Sequence, residues 1–178
     1  MKMCSNSINY CNVVNNIRIP VKQTIEYNGK SNRRHFLNWF IQKNNIKIIA
    51  EVGVRDGRTT FHLLDHNPDL TIYAIDKSIK GFYNNEVKIK YGSRLIPIEA
   101  YSTDGAVQIP DSSLDLVFID ADHSYDWVKK DIAAYKPKLK LGGWLTGHDI
   151  DFPGVNRAVN EVIKNYDVGT NNVWLTNV

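Results

Sequence analysis

The sequence predicts a doubly wound α/β fold, a mostly parallel sheet with helices on both faces. Three observations carry that prediction. Short β-branched, apolar runs recur along the chain, and stretches of helical period separate them. The runs are apolar at nearly every position instead of alternating, the pattern of strands covered on both sides. Polar residues stand at or just past their ends: Glu51, Asp76, Ser102, Asp120 and the pair His148-Asp149. In such a sheet the carboxyl ends of the strands share one edge, and ligands bind there.

The elements follow in order. Residues 1–30 are rich in Asn and keep no steady period, so they read as an N-terminal arm, a loose terminus or a lid. Residues 31–178 form the domain proper. A helix is expected over 32–45, where Phe36, Leu37, Phe40 and Ile41 share a face. Residues 46–52 (IKIIAEV) are a first buried strand, 53–57 a turn and 58–65 a helix. Residues 70–76 (LTIYAID) are a second strand, and 77–93 carry no clear pattern. A third strand is expected over 95–100, with a short helix near 104–107. Residues 114–120 (LDLVFID) are a fourth strand, and 125–139 a helix with Val128, Ile132 and Tyr135 on one face. Gly142-Gly143 reads as a turn into a fifth strand over 144–147. Residues 154–166 form a last helix on Val155, Val159, Val162 and Ile163, and 168–178 a short hairpin or paired edge strands.

A chain of 178 residues suits one domain, and 43% hydrophobic with 23% charged residues is ordinary globular composition. A net charge of +3 gives no electrostatic case for nucleic acid. Cys4 and Cys11 match no zinc spacing and are expected to be free thiols in a reducing compartment. No apolar run reaches membrane-spanning length, and Asn and Ser interrupt any signal-peptide core. The expectation is a cytoplasmic protein acting on a small molecule, with neither nucleic acid nor membrane as partner. A homo-oligomer stays open, because a second subunit or the arm would have to close the pocket of so short a chain.

The most informative stretch is Glu51-Val52-Gly53-Val54-Arg55-Asp56-Gly57-Arg58-Thr59-Thr60, which leaves a strand and opens a helix. Glycines let the backbone turn tightly and approach a ligand without a Cβ in the way. The helix start offers free N–H groups to an anion such as a carboxylate. Asp76, at the end of the next strand, suits the two ribose hydroxyls of a nucleoside. Each glycine alone reads as strand–turn–helix geometry, whereas the combination with Glu51 and Asp76 points to a nucleoside cofactor. The G-x-G-x-x-G of dinucleotide sites is missing, which argues against a nicotinamide-dependent oxidoreductase.

E-x-G-x-x-x-G-x-T followed by a strand ending in Asp resembles the first two motifs of class I S-adenosylmethionine-dependent methyltransferases. The resemblance runs from about Phe36 onward and implies their Rossmann-like fold, with S-adenosyl-L-methionine as cofactor. It implies that Gly53 and Gly57 flank the methionine part, that Thr59 helps hold its carboxylate, and that Asp76 holds the ribose. Ser102 falls near the adenine, although the residue before it, often Asp in the family, is Tyr101. Glu51 and Asp120 complete the expected cofactor-binding set.

A second polar block is Asp120-Ala121-Asp122-His123-Ser124-Tyr125, and a third closes on His148-Asp149. If their strands are neighbours, hard oxygen ligands there suit Mg²⁺ or another divalent ion, with the His148 nitrogen favouring a borderline metal. D-x-D-H-x-Y, then a helix, then L-x-x-G-G-x-x-x-x-H-D, resembles macrolide-sugar O-methyltransferases and cephalosporin-hydroxylase-like proteins. By that resemblance Asp120 binds the metal with His148 and Asp149, and His123 is the base. More plainly, Asp122 caps the helix that follows, His123 is a packed loop residue and His148 stands behind the ligands. Trp127, Trp144 and Trp174 read as core or rim.

The expected activity is methyl transfer to an oxygen of a small molecule, a sugar hydroxyl or vicinal diol, assisted by a divalent metal. A binding or regulatory protein that keeps the fold without catalysis is the alternative, since fold does not settle function.

Overall fold

The computed structural model describes residues 13–14, 17–18, 25–30 and 32–178. The first two pairs form short antiparallel strands, β1 (Val13–Val14) and β2 (Ile17–Arg18). Most of the N-terminal arm, with Cys4 and Cys11, lies outside the described residues. Its last stretch is docked: the Ile25 N–H donates to the Val168 carbonyl at 3.1 Å, and the Tyr27 ring stands 5.7 Å from that of Phe36, edge to face.

Next come α1 (Arg33–Lys43), β3 (Ile48–Val52), α2 (Arg58–His66), β4 (Thr71–Asp76), α3 (Asn85–Tyr91), β5 (Leu95–Glu99) and α4 (Ser102–Val107). They are followed by β6 (Leu114–Ile119), α5 (Tyr125–Tyr135), β7 (Leu139–Gly147), α6 (Pro153–Val162), β8 (Asp167–Val168) and β9 (Trp174–Asn177). Seven strands form one sheet in the order β5-β4-β3-β6-β7-β9-β8. β5 through β7 run parallel, and β9 is antiparallel to both its neighbours. The strand order reverses between β3 and β6, so the crevice of a doubly wound sheet opens there.

The sheet divides the core in two, and β6 shows how. Leu114, Val117 and Ile119 pack with α5 and α6, while Leu116 and Phe118 pack with α1 and α2. Burial on both faces explains the continuous apolar run. The expected α/β architecture is present, and no described helix is long and apolar enough to cross a membrane.

Several boundaries differ from expectation. α5 stops at Tyr135 because Pro137 follows, and residues Lys136–Lys138 tighten into a 3₁₀ turn. α6 stops at Val162, and Ile163 is extended and buried. Within 77–93 lies α3, whose first turn is capped by Asn84 accepting from the Val87 N–H at 3.0 Å. Gly142-Gly143 is no turn into a strand but a bulge inside β7. The register jumps there from Leu114–Leu139 to Leu116–Trp144. The freed Gly142 N–H donates to the Val178 carbonyl at 2.7 Å. The last two strands pair as expected, but β9 lies between β7 and β8 and only β8 is at the edge.

Candidate active site

The carboxyl ends of β3 through β7 surround a cleft of about 810 Å³. Its first wall is the glycine loop. Gly53 has φ 91°, and a Cβ there would fall 2.3 Å from the Asp120 carbonyl oxygen. A side chain at this position would push the ends of β3 and β6 apart. The loop is fastened by Asp76: its Oδ2 accepts from the Val54 N–H at 3.0 Å and the Arg55 N–H at 2.7 Å, and its Oδ1 from the Ser78 N–H at 3.1 Å. Asp76 therefore shapes the loop as well as facing the cleft, a double duty its place in the sequence does not reveal.

Glu51 also lines the cleft, 2% exposed, and accepts from the Thr60 hydroxyl at 2.5 Å. Burial pushes its carboxyl up to about 8, with the Thr60 bond opposing. It is therefore largely uncharged at neutral pH. Across the cleft, Ser102 opens α4, and its carbonyl accepts from the Tyr135 hydroxyl at 2.7 Å. Asp131 beneath it is fully buried, and burial raises its carboxyl to about 6. Exposed Tyr101 and half-buried Trp127 stand on the same cavity, so Trp127 is a wall residue and not merely rim.

The other half of the cleft is ionic. Ligand atoms of Asp120, His123 and Asp149 all lie within 4.8 Å of one another. His123 Nε2 is 3.0 Å from Asp149 Oδ2 and 3.9 Å from Asp120 Oδ1. Asp149 holds its place with φ 54°, a left-handed conformation uncommon outside glycine, and strain of this kind gathers at functional sites. Burial raises the Asp120 carboxyl, opposed first by the Arg33 guanidinium and then by His148. Two carboxylates and an imidazole are a donor set that fits a divalent ion.

The cleft thus gathers Glu51, Gly53, Thr59, Asp76, Ser102, Asp120, His123 and Asp149. Two expected members stand back from it. Gly57, with φ 77°, turns the chain into α2 against the Phe61 ring and the Cβ of Phe82. His148 is 8% exposed, with Nδ1 2.9 Å from Asp149 Oδ1 and 3.6 Å from Asp120 Oδ1. That nitrogen is as near the two carboxylates as His123 Nε2, so both imidazoles adjoin the cluster, His123 on the cleft side and His148 behind it. Asp122 accepts from the Ser124 N–H at 2.7 Å and so forms the turn before α5, but the helix's cap position is Ser124, and Asp122 does not cap it. Sequence reasoning missed Arg33, Arg34 and Asn171, which reach the cleft from α1 and the turn before β9. No motif marks them.

A family described as a methyltransferase domain matches residues 50–150, more than half of the chain. This chain belongs to that family. The methyltransferase-domain region spans β3 through β7 and so contains the glycine loop and the ionic cluster. Its fold is that of class I S-adenosylmethionine-dependent methyltransferases. A Staphylococcus aureus protein provisionally assigned as a caffeoyl-CoA O-methyltransferase superposes with a TM-score of 0.67 at 19% identity, covering 81% of each chain. The O-methyltransferase NovP superposes at 0.60 with 14% identity, over 81% of this chain and 76% of that one. In sequence, the uncharacterized protein R132 of Acanthamoeba polyphaga mimivirus is 27% identical over 135 residues, 67% of this chain and 61% of the relative.

Proposed function

We propose that this methyltransferase domain transfers the methyl group of S-adenosylmethionine to an oxygen of a small molecule, a sugar hydroxyl or one of a vicinal pair. One observation supports this above others: a single cleft places the nucleoside-suited loop of Gly53 and Asp76 beside the acid–imidazole cluster of Asp120, His123 and Asp149. The cofactor would supply an electrophilic methyl group, so the protein's task is orientation and proton removal. Asp76 would receive the ribose, and Thr59, at the start of α2, would help hold the carboxylate of the methionine part. Ser102 and Tyr101 would border the adenine.

On the acceptor side, His123 would take the hydroxyl proton. Its Nε2 has the Asp149 carboxylate 3.0 Å away, which would stabilise the imidazolium formed. Asp120 and Asp149, with the His148 imidazole beside both, would hold a divalent ion, whose chemistry there would be to lower the pKa of the acceptor hydroxyl. Support for an oxygen acceptor comes from this cluster and from the O-methyltransferases that share the fold.

Two variants test the division of labour. Asp76→Ala should weaken S-adenosylhomocysteine binding more than tenfold in calorimetry, since it removes a charged acceptor from both ribose and loop. His123→Ala should keep that binding while turnover on a diol and sugar panel falls by roughly 10² to 10⁴. Full turnover by the His123 variant would assign the proton to another residue. Failure to methylate any acceptor, with cofactor binding intact, would favour a binding or regulatory role.

A further inference from the structure

α1 sends a cation into the carboxylate cluster. Arg33 is the first residue of that helix, and its N–H donates to Asn171 Oδ1 at 3.3 Å, tying the helix start to the turn before β9. Its Nη2 lies 3.1 Å from Asp120 Oδ2, and Nη1 lies 3.5 Å from His148 Nδ1. The other oxygen of Asp120 faces the imidazoles of His148 and His123, at 3.6 and 3.9 Å. With a side chain only 11% exposed, Asp120 needs a positive partner, because a buried unpaired carboxylate is costly. Arg33 is that partner.

The same contact sets up a conflict. A divalent ion on Asp120 and Asp149 would sit close to the guanidinium, and a partly buried site screens like charges poorly. We infer that Arg33 is a resident cation of the site, competing with the divalent ion for Asp120 and swinging away when the ion binds. This rests on the reading of Asp120 and Asp149 as cation ligands. The swing is sterically open, since the Arg33 side chain is 36% exposed and lines the cleft. Asp120 thereby never stands unpaired, with either Arg33 or the metal beside it.

The test is a titration of the full chain with Mn²⁺ at pH 7.5, with free ion followed by electron paramagnetic resonance. Arg33→Met should bind Mn²⁺ roughly tenfold or more tightly than the unaltered protein, because the competitor is gone. Arg33→Lys should gain less, since it keeps a charge, and adding Asp120→Asn should abolish the gain. Arg33→Gln is the second neutral variant, should the Met side chain impair folding, and S-adenosylhomocysteine binding with thermal melting checks integrity. Equal Mn²⁺ affinity in the unaltered and neutral variants overturns the competition but leaves the ligand set standing. If none of them binds Mn²⁺ while all bind S-adenosylhomocysteine, the ligand set itself fails and the competition falls with it.

Discussion

Glu51 faces the cleft with a side chain that water scarcely reaches. Its ordinary value of 4.5 is raised to about 8, so between those values the folded protein holds a proton that the unfolded chain has released. The folded state then binds more protons than the unfolded one, and stability falls as pH rises through this window. Below about 4.5 both states are protonated and the effect vanishes; above about 8 both are ionised and the loss is complete. Glu51→Gln keeps the shape and removes the proton, so its stability should decline less from pH 5 to pH 8 than that of the unaltered protein. Urea unfolding at a series of pH values measures this. Equal slopes for the two proteins would mean that Glu51 ionises in its usual range.

At the scale of elements, the glycine loop and the β6 end are one unit, because Gly53 packs directly on the Asp120 backbone. Gly53→Val therefore does more than obstruct a ligand. Its Cβ would meet main-chain atoms, which cannot rotate aside as a side chain can, and its φ lies where β-branched residues are strained. The variant should lose cofactor binding and also about 1–3 kcal/mol of stability, the range of a forced overpacking. Denaturation midpoints beside calorimetry check both halves; native stability with lost binding would place the clash on the ligand alone. The sequence made this loop legible because a strand, two glycines and Asp76 stand in fixed order. The five parallel strands were legible for a similar reason, since burial on both faces leaves unbroken apolar runs. α3 was not, because apart from Tyr91 its residues are not buried and leave no apolar stripe. The β7 bulge was hidden because a glycine pair signals a turn and a bulge alike, and only the strand partner decides between them. Arg33 was hidden because its role depends on where α1 starts in space, which is set by the packing of its buried face and by contacts as distant as Asn171, 138 positions away. The depths of His123 and His148 were hidden for the same reason: both adjoin an aspartate in sequence, and only the geometry of the loops leaves His123 on the cleft and His148 behind it.

For the whole molecule, strand order and chain order part company at β9. It follows β8 in sequence yet lies between β7 and β8 in the sheet. Trp174 anchors it, 1% exposed, with its ring against Gly147, where a Cβ would come within 2.4 Å of the indole. Trp174→Ala should cost about 3–5 kcal/mol, the range for emptying a large aromatic from a core. The partition of that cost between rates reports when the strand docks. If β9 closes the sheet late, the variant should unfold faster while refolding at nearly the native rate. A stopped-flow chevron reads this directly, and a refolding limb slowed in proportion to the lost stability would put β9 in the nucleus instead.

A late closure of the sheet by β9 would bear on how the protein is made. Synthesis runs from the N-terminus, so residues of β3 through β7 leave the ribosome before Trp174–Asn177 exists. Until then β7 presents an open row of backbone donors and acceptors, broken by its glycine bulge. An unpaired edge of this kind invites pairing with other chains, and bulges are one of the devices that discourage it. Were β9 the last strand to dock, the distortion in β7 would spoil that edge for a stranger while the stretch from Trp144 to Gly147 stayed regular for the strand still to come.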